Sequence, residues 1–135
     1  MTYKFPSDEW IKALMEELNR SAAYAEAAAT WEGDFYFLAA LPGADTPAML
    51  YMDLWHGKCR EAFLVTDESA KTPAFRMSAP LETWKKVLTK KLDPIQGLMT
   101  GQLKLKGNMA MVMKSVKAAK ELVEASTRVE TEFPD

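Results

Sequence analysis

The chain predicts an α+β fold: a five-stranded, mainly antiparallel sheet covered on one side by helices. Three observations carry this. Short runs at 34–41, 48–55, 59–66, 74–79 and 102–106 alternate apolar and polar residues or are rich in aromatic and β-branched types, as strands are. Longer runs from Ser7, Pro80, Asp93 and Asn108 place apolar residues at steps of three and four, as amphipathic helices do. The order is a helix, four strands joined mostly by short turns, two helices, a strand and a last helix. Such segregated runs favour a sheet with its helices on one face over an alternating parallel fold.

The elements follow in order. Ser7 is a good N-cap, and Asp8 and Glu9 stand where the helix dipole favours negative charge. Ile11, Leu14, Met15, Leu18, Ala22, Ala25 and Ala29 share one face, so a single long helix is expected, stopped at Trp31-Glu32-Gly33. The first strand is rich in aromatics (Phe35, Tyr36, Phe37), and the loop at 42–47 carries two prolines and a glycine. In the second strand Leu50, Met52 and Leu54 face one way, and Met49, Tyr51, Asp53 and Trp55 the other. His56-Gly57-Lys58 is a turn into the third strand, and 67–72 is a polar loop. In the fourth strand Phe75 and Met77 oppose Arg76 and Ser78. Pro80 suits the first position of a helix whose buried face is Leu81, Trp84, Val87 and Leu88 and whose end is basic. Asp93 caps a further short helix that starts with Pro94, carries Ile95, Leu98 and Met99 and stops at Gly101.

Residues 99–114 then read M-T-G-Q-L-K-L-K-G-N-M-A-M-V-M-K. Leu103 and Leu105 alternate with Gln102, Lys104 and Lys106, which describes a strand with one wet face, and the lysines suit a sheet edge. Gly107 permits a sharp turn and Asn108 an N-cap, after which Met109, Val112, Met113, Val116, Ala119 and Val123 take helical spacing. Residues 128–135 are polar and are expected to fray.

The segment D-P-I-Q-G-L-M-T-G-Q-L-K-L-K-G-N-M-A-M-V-M-K, 93–114, resembles the SCP-2 sterol-carrier-like lipid-binding family, and more diffuse similarity runs through nearly all of the chain. The resemblance implies a single SCP2-like lipid-binding domain over 1–135, a five-stranded sheet covered by helices, and an apolar tunnel between them. It also implies a non-enzymatic protein that takes a lipid or fatty-acyl ligand and needs no cofactor. The C-terminal E-F-P-D is not the S-K-L peroxisomal address that some eukaryotic relatives carry.

Composition sets the outer bounds. At 135 residues the chain suits one domain, and 48% hydrophobic with 27% charged residues is a globular balance. A net charge of -2 gives no reason to expect nucleic acid as a partner. Cys59 has no second cysteine to pair with, which agrees with a reducing cytoplasm. No apolar run reaches the ~18 residues of a membrane span, and the N-terminus lacks the apolar centre of a signal peptide. A cytoplasmic monomer or dimer is the expectation, with at most transient contact with a membrane surface.

Few residues argue for chemistry. His56 and Cys59 lack the further ligands of a metal site and the fixed geometry of a catalytic dyad, and read as a turn histidine and a strand cysteine. Asp53 reads as solvated or as a partner for a ligand headgroup, and Asp34, Glu61 and Asp67 show no acid–base spacing. Lys85, Lys86, Lys90, Lys91, Lys104, Lys106, Lys114, Lys117 and Lys120 read either as a solvated face or as a patch for anionic lipid headgroups or an acyl-CoA phosphate. Nine methionines are the stronger signal, with Met99, Met109, Met111 and Met113 crowded together. Alone they read as core filler. With the family resemblance they read as a wall that accepts varied apolar shapes. The expected ligand-lining residues are Met52, Leu54, Phe75 and Met77 from the sheet and Leu98 and Met99 before the last strand. Leu103, Leu105, Met109, Val112, Met113 and Val116 complete the set. The alternative of a different class is a solidly packed accessory domain serving a lipid-metabolising enzyme.

Overall fold

A computed structural model describes residues 2–134. A short strand β1 (Tyr3–Lys4) precedes α1 (Asp8–Arg20), whose cap is Ser7: its hydroxyl accepts from the Trp10 N–H at 3.1 Å. The expected single long helix is two. Ser21 is extended, donates its N–H to the Leu18 carbonyl, and caps α2 (Ala22–Ala27) by accepting from Tyr24 N. A serine hydroxyl competes for local backbone groups and so favours a new helix start over a helix interior. Trp31 and Gly33 do not act as the stop, since Gly33 already belongs to β2 (Glu32–Ala40).

The hairpin β3 (Ala48–Trp55) and β4 (Lys58–Val65) follows, then a 3₁₀ turn at Glu68–Ala70 and β5 (Phe75–Pro80). Pro80 is the residue before α3 (Leu81–Leu88), not its first residue. Asp93 caps α4 (Pro94–Thr100) as expected, accepting from both Ile95 N and Gln96 N. The edge strand β6 (Lys104–Lys106) leads through Gly107 to α5 (Met109–Met113), capped by Asn108. The last helix is also divided, with α6 (Val116–Thr127) starting anew after Ser115. The expected C-terminal fray is instead β7 (Thr131–Glu132), which pairs in parallel with β1, while Asp135 lies outside the described residues.

The main sheet runs β4-β3-β2-β5-β6. Its pairings are antiparallel except β2 with β5, so the β3–β4 hairpin and the 3₁₀ turn form the crossover between two parallel neighbours. Helices cover the face that carries Phe35, Leu50, Met52, Leu54, Phe75 and Met77. The other face carries a smaller cluster of Tyr36, Tyr51 and Val65. Tyr36 is tied down there: its hydroxyl donates to the Glu68 carbonyl at 2.8 Å and accepts from Lys71 N at 3.0 Å.

β6 is an edge strand, as its lysines suggest, and Gly107 turns the chain there with φ +133°. A Cβ at Gly107 would stand 2.5 Å from the Phe75 ring. That ring stacks on Phe35 at 4.9 Å and lies 5.3 Å from Trp31. The glycine thus supplies both the backbone conformation and the space into which Phe75 packs.

Candidate functional site

An apolar cavity of about 120 Å³ lies between the sheet and the helices. Its floor is Phe35, Phe37, Leu50, Met52, Leu54 and Met77. α1 contributes Trp10, Ile11 and Leu14, α3 contributes Trp84 and Val87, and α6 contributes Ala118, Leu122 and Val123. The alternation of β2 and β3 brings the floor together, because every second side chain points to the helices.

The indole and serine polar atoms of this wall are already engaged. Trp10 Nε1 donates to Thr131 Oγ1 at 2.8 Å, Trp31 Nε1 to the Gly33 carbonyl at 3.0 Å, and Trp84 Nε1 to the Leu38 carbonyl at 2.9 Å. The hydroxyls of Ser115 and Ser126 donate to the carbonyls of Met111 and Val123 in the preceding turn. Burial raises the Tyr24 phenol above its ordinary range, so that group stays neutral. Apart from the neutral Tyr24 hydroxyl, what these side chains offer the void is hydrocarbon and ring surface. Side chains that face an unfilled space forgo packing contacts on that side, so a tail that fills it adds to the stability of the fold.

At one side a groove is lined by Lys90, Leu92, Asp93, Pro94, Lys120, Val123 and Glu124. It shares Pro94 and Val123 with the cavity wall. Lys90 sits in the left-handed region at φ +63° and pairs with Glu124, which links the end of α3 to α6 across the groove. Asp93 is occupied as the cap of α4. Lys120 has no side-chain partner among the described residues.

Of the residues expected to line the ligand space, Met52, Leu54, Met77 and Val112 do border the cavity. Phe75, Leu98 and Leu103 are buried but packed solid: Phe75 in the aromatic stack, Leu103 against Gly97. Leu105, Met113 and Val116 are half-buried outside the wall. Met99 is turned outward with 69% of its surface exposed, and Met109 is 38% exposed. The break at Ser115 is the reason for the displaced stripe, since it re-phases the last helix so that Ala118 and Leu122 face inward. Sequence reasoning missed the contributions of α1, β2 and α3. Their signal was visible in the inward alternation of Phe35, Phe37 and Ala39 and in Trp10 and Trp84 on helix faces, but core and cavity wall carry the same apolar pattern.

The polar candidates lie away from the cavity. His56 stands at the hairpin turn 2.5 Å from Glu32, while the Cys59 thiol is buried and donates to the Glu61 carbonyl at 3.4 Å, so the two take different partners. Asp53 is not simply solvated: it holds Arg60 through two bonds of 3.0 and 3.1 Å on the outer sheet face, and Asp34 there accepts from the Tyr51 hydroxyl at 2.9 Å. Strand register aligns Asp34, Asp53 and Glu61 in one row, and Glu61 in turn pairs with Lys71 at 2.9 Å. Among the described residues no group of His, Cys, Asp and Glu is arranged to hold a metal ion. No helix there is long and apolar enough to cross a membrane.

The model of the SCP-2 sterol transfer family matches residues 11–120. The chain belongs to that family. Solved structures agree. A crystal structure of sterol carrier protein 2 shares 35% identity, with a TM-score of 0.81 over 91% of this chain and 97% of that one. The conserved Thermus thermophilus protein TT1886 is 38% identical, with a TM-score of 0.83 over 92% of this chain and 88% of its own. Apo sterol carrier protein 2 of Yarrowia lipolytica has the same fold at 16% identity, with a TM-score of 0.60 over 86% and 88% of the two chains. Among curated protein sequences none matches. The SCP-2 architecture thus covers the cavity, its floor and most of its helical roof.

Proposed function

We propose that the protein is a non-enzymatic lipid binder that holds the hydrophobic part of a lipid in the apolar cavity and transfers it. The observation that carries this reading is the cavity wall, whose indole N–H groups and serine hydroxyls are satisfied internally and whose remaining surface, the neutral Tyr24 phenol aside, is apolar. A buried methylene contributes about 0.8 kcal/mol, so an acyl tail needs no polar anchor to bind well. The same physics makes the site tolerant among fatty acid, acyl-CoA, phospholipid and sterol-like ligands, because apolar contact is non-directional. Membership of the SCP-2 sterol transfer family supports the ligand class.

The tail passes through the groove between the start of α4 and α6, where Pro94 and Val123 belong to groove and cavity alike. Cavity and groove together form the tunnel, which widens as α6 shifts relative to α3 and the Lys90–Glu124 pair opens. A delipidated sample titrated with a fluorescent fatty acid is expected to show saturable binding, together with a rise in thermal midpoint on loading. Absence of saturation, with no lipid retained in native mass spectra of freshly purified protein, would leave a packed accessory domain as the better reading.

A further inference from the structure

Residues 94–120 contain five lysines and no aspartate or glutamate, in a chain whose net charge is -2. None of Lys104, Lys106, Lys114, Lys117 and Lys120 has a side-chain partner among the described residues. The same stretch supplies three of the four exposed large hydrophobic side chains among the described residues: Met99, Met109 and Met111. Apart from Leu103 and Leu105, residues 99–111 are all exposed, and they run along the β6 edge of the sheet from the end of α4 into α5. Lys104 and Lys106 of β6 and the outward Met109 and Met111 of α5 therefore follow one another along this border, with Lys114 directly after α5 and Lys117 and Lys120 on α6 behind it. α1 is the opposite case. It holds Asp8, Glu9, Glu16 and Glu17 against Lys12 and Arg20, and buries Trp10, Ile11, Leu14 and Leu18.

We propose that the α4–β6–α5 border is a docking face for an anionic lipid bilayer, with the lysines over lipid phosphates and Met109 and Met111 in the headgroup boundary. The charge pattern selects this occupant. The chain as a whole is acidic, so attraction to a negative surface has to come from a local field, and each lysine near such a surface adds about 1 kcal/mol. Methionine is flexible enough to settle into a disordered interface, and basic plus apolar side chains on one exposed face are what interfacial binding uses. The face is distinct from the cavity but adjoins it. Val112 of α5 lines the cavity, and Lys120 lines the groove beside it.

Co-sedimentation with phosphatidylcholine vesicles containing roughly one-third phosphatidylserine tests the assignment. Binding is expected at low salt, falling as salt is added, and absent on pure phosphatidylcholine. Lys106→Gln/Lys114→Gln is expected to weaken partitioning by about fivefold per lysine, whereas Lys4→Gln/Lys58→Gln, the same charge change elsewhere, leaves it within about twofold. Met109→Ser/Met111→Ser is expected to weaken it while preserving the salt dependence. Equal binding to neutral vesicles, equal loss in the two lysine doubles, or no sedimentation of the unmodified chain at low salt would each overturn the proposal. Uptake of fluorescent fatty acid is read separately, so a chain that docks without loading its cavity leaves this inference standing.

Discussion

Cys59 shows at the scale of one residue how burial removes chemistry. Its thiol is buried, and loss of hydration, only partly offset by the hydrogen bond to the Glu61 backbone, pushes it from 9.0 up to about 12. The neutral thiol is a poor nucleophile, so alkylation of native protein at pH 8 is expected to be far slower than of urea-unfolded protein, measured by mass spectrometry. The folded pKa lies above the unfolded one, so the proton is held more tightly by the folded chain. Its contribution to stability is complete below about pH 9 and is lost as pH rises towards about 12. Cys59→Ala is accordingly expected to flatten the alkaline fall of the thermal midpoint across that window; an unchanged slope would contradict the assignment. Two residues away, Gly57 shows the converse, a position defined by space. With φ +79° and a would-be Cβ 2.6 Å from the Ala25 carbonyl oxygen, it lets the β3–β4 turn press against α2. His56 before it is also left-handed at φ 50°, the pairing of a two-residue hairpin turn whose twist matches its strands.

Among the elements, α1 does more than cover the sheet: it closes an edge. β4 ends the sheet, and an open edge invites pairing with other chains. The Asn19 amide donates to the Cys59 carbonyl at 2.9 Å and accepts from Cys59 N at 2.8 Å, as a neighbouring strand would. Near the other end, the Asp8 carboxylate accepts from Leu64 N at 2.9 Å. The Lys12 ammonium and this N–H hold Asp8 below the usual carboxylate range. Asn19→Ala strands two part-buried backbone groups and is expected to cost about 2 kcal/mol in urea unfolding. A loss below about 0.5 kcal/mol would show that water replaces the amide without penalty. The divided helices have a comparable logic. Ser21 and Ser115 each restart a helix, which turns Tyr24 and then Ala118 towards the cavity.

For the whole molecule, the cavity and the closure of the ends set the behaviour. β1 and β7 join the two ends of the chain, the Trp10 indole reaches Thr131, and Phe133 packs 5.8 Å from Phe5, so the roof over the cavity is braced from both ends. Filling the void separates binding from folding. Ala118→Phe is expected to lower affinity for fluorescent fatty acid by at least about tenfold while the lipid-free protein keeps its stability, since the new ring takes up space that the protein's own side chains leave unfilled. Unaltered affinity in a folded variant would place the ligand elsewhere. Legible in the sequence were the five strands of the main sheet, the caps Ser7, Asp93 and Asn108, the inward sides of β3 and β5, and the edge position of β6. Each of these follows from local periodicity and from backbone groups that must be satisfied within a few residues. The sequence could not assign the wall: Phe75 and Leu103 follow the same apolar pattern as Met52 and Met77, yet two pack solid and two border a void. Nor could it align Asp34 with Asp53, or bring residues 131–132 beside the first strand. Whether an apolar side chain meets another or meets a space depends on how far apart sheet and helices stand, and that distance is decided by contacts between residues remote in the chain.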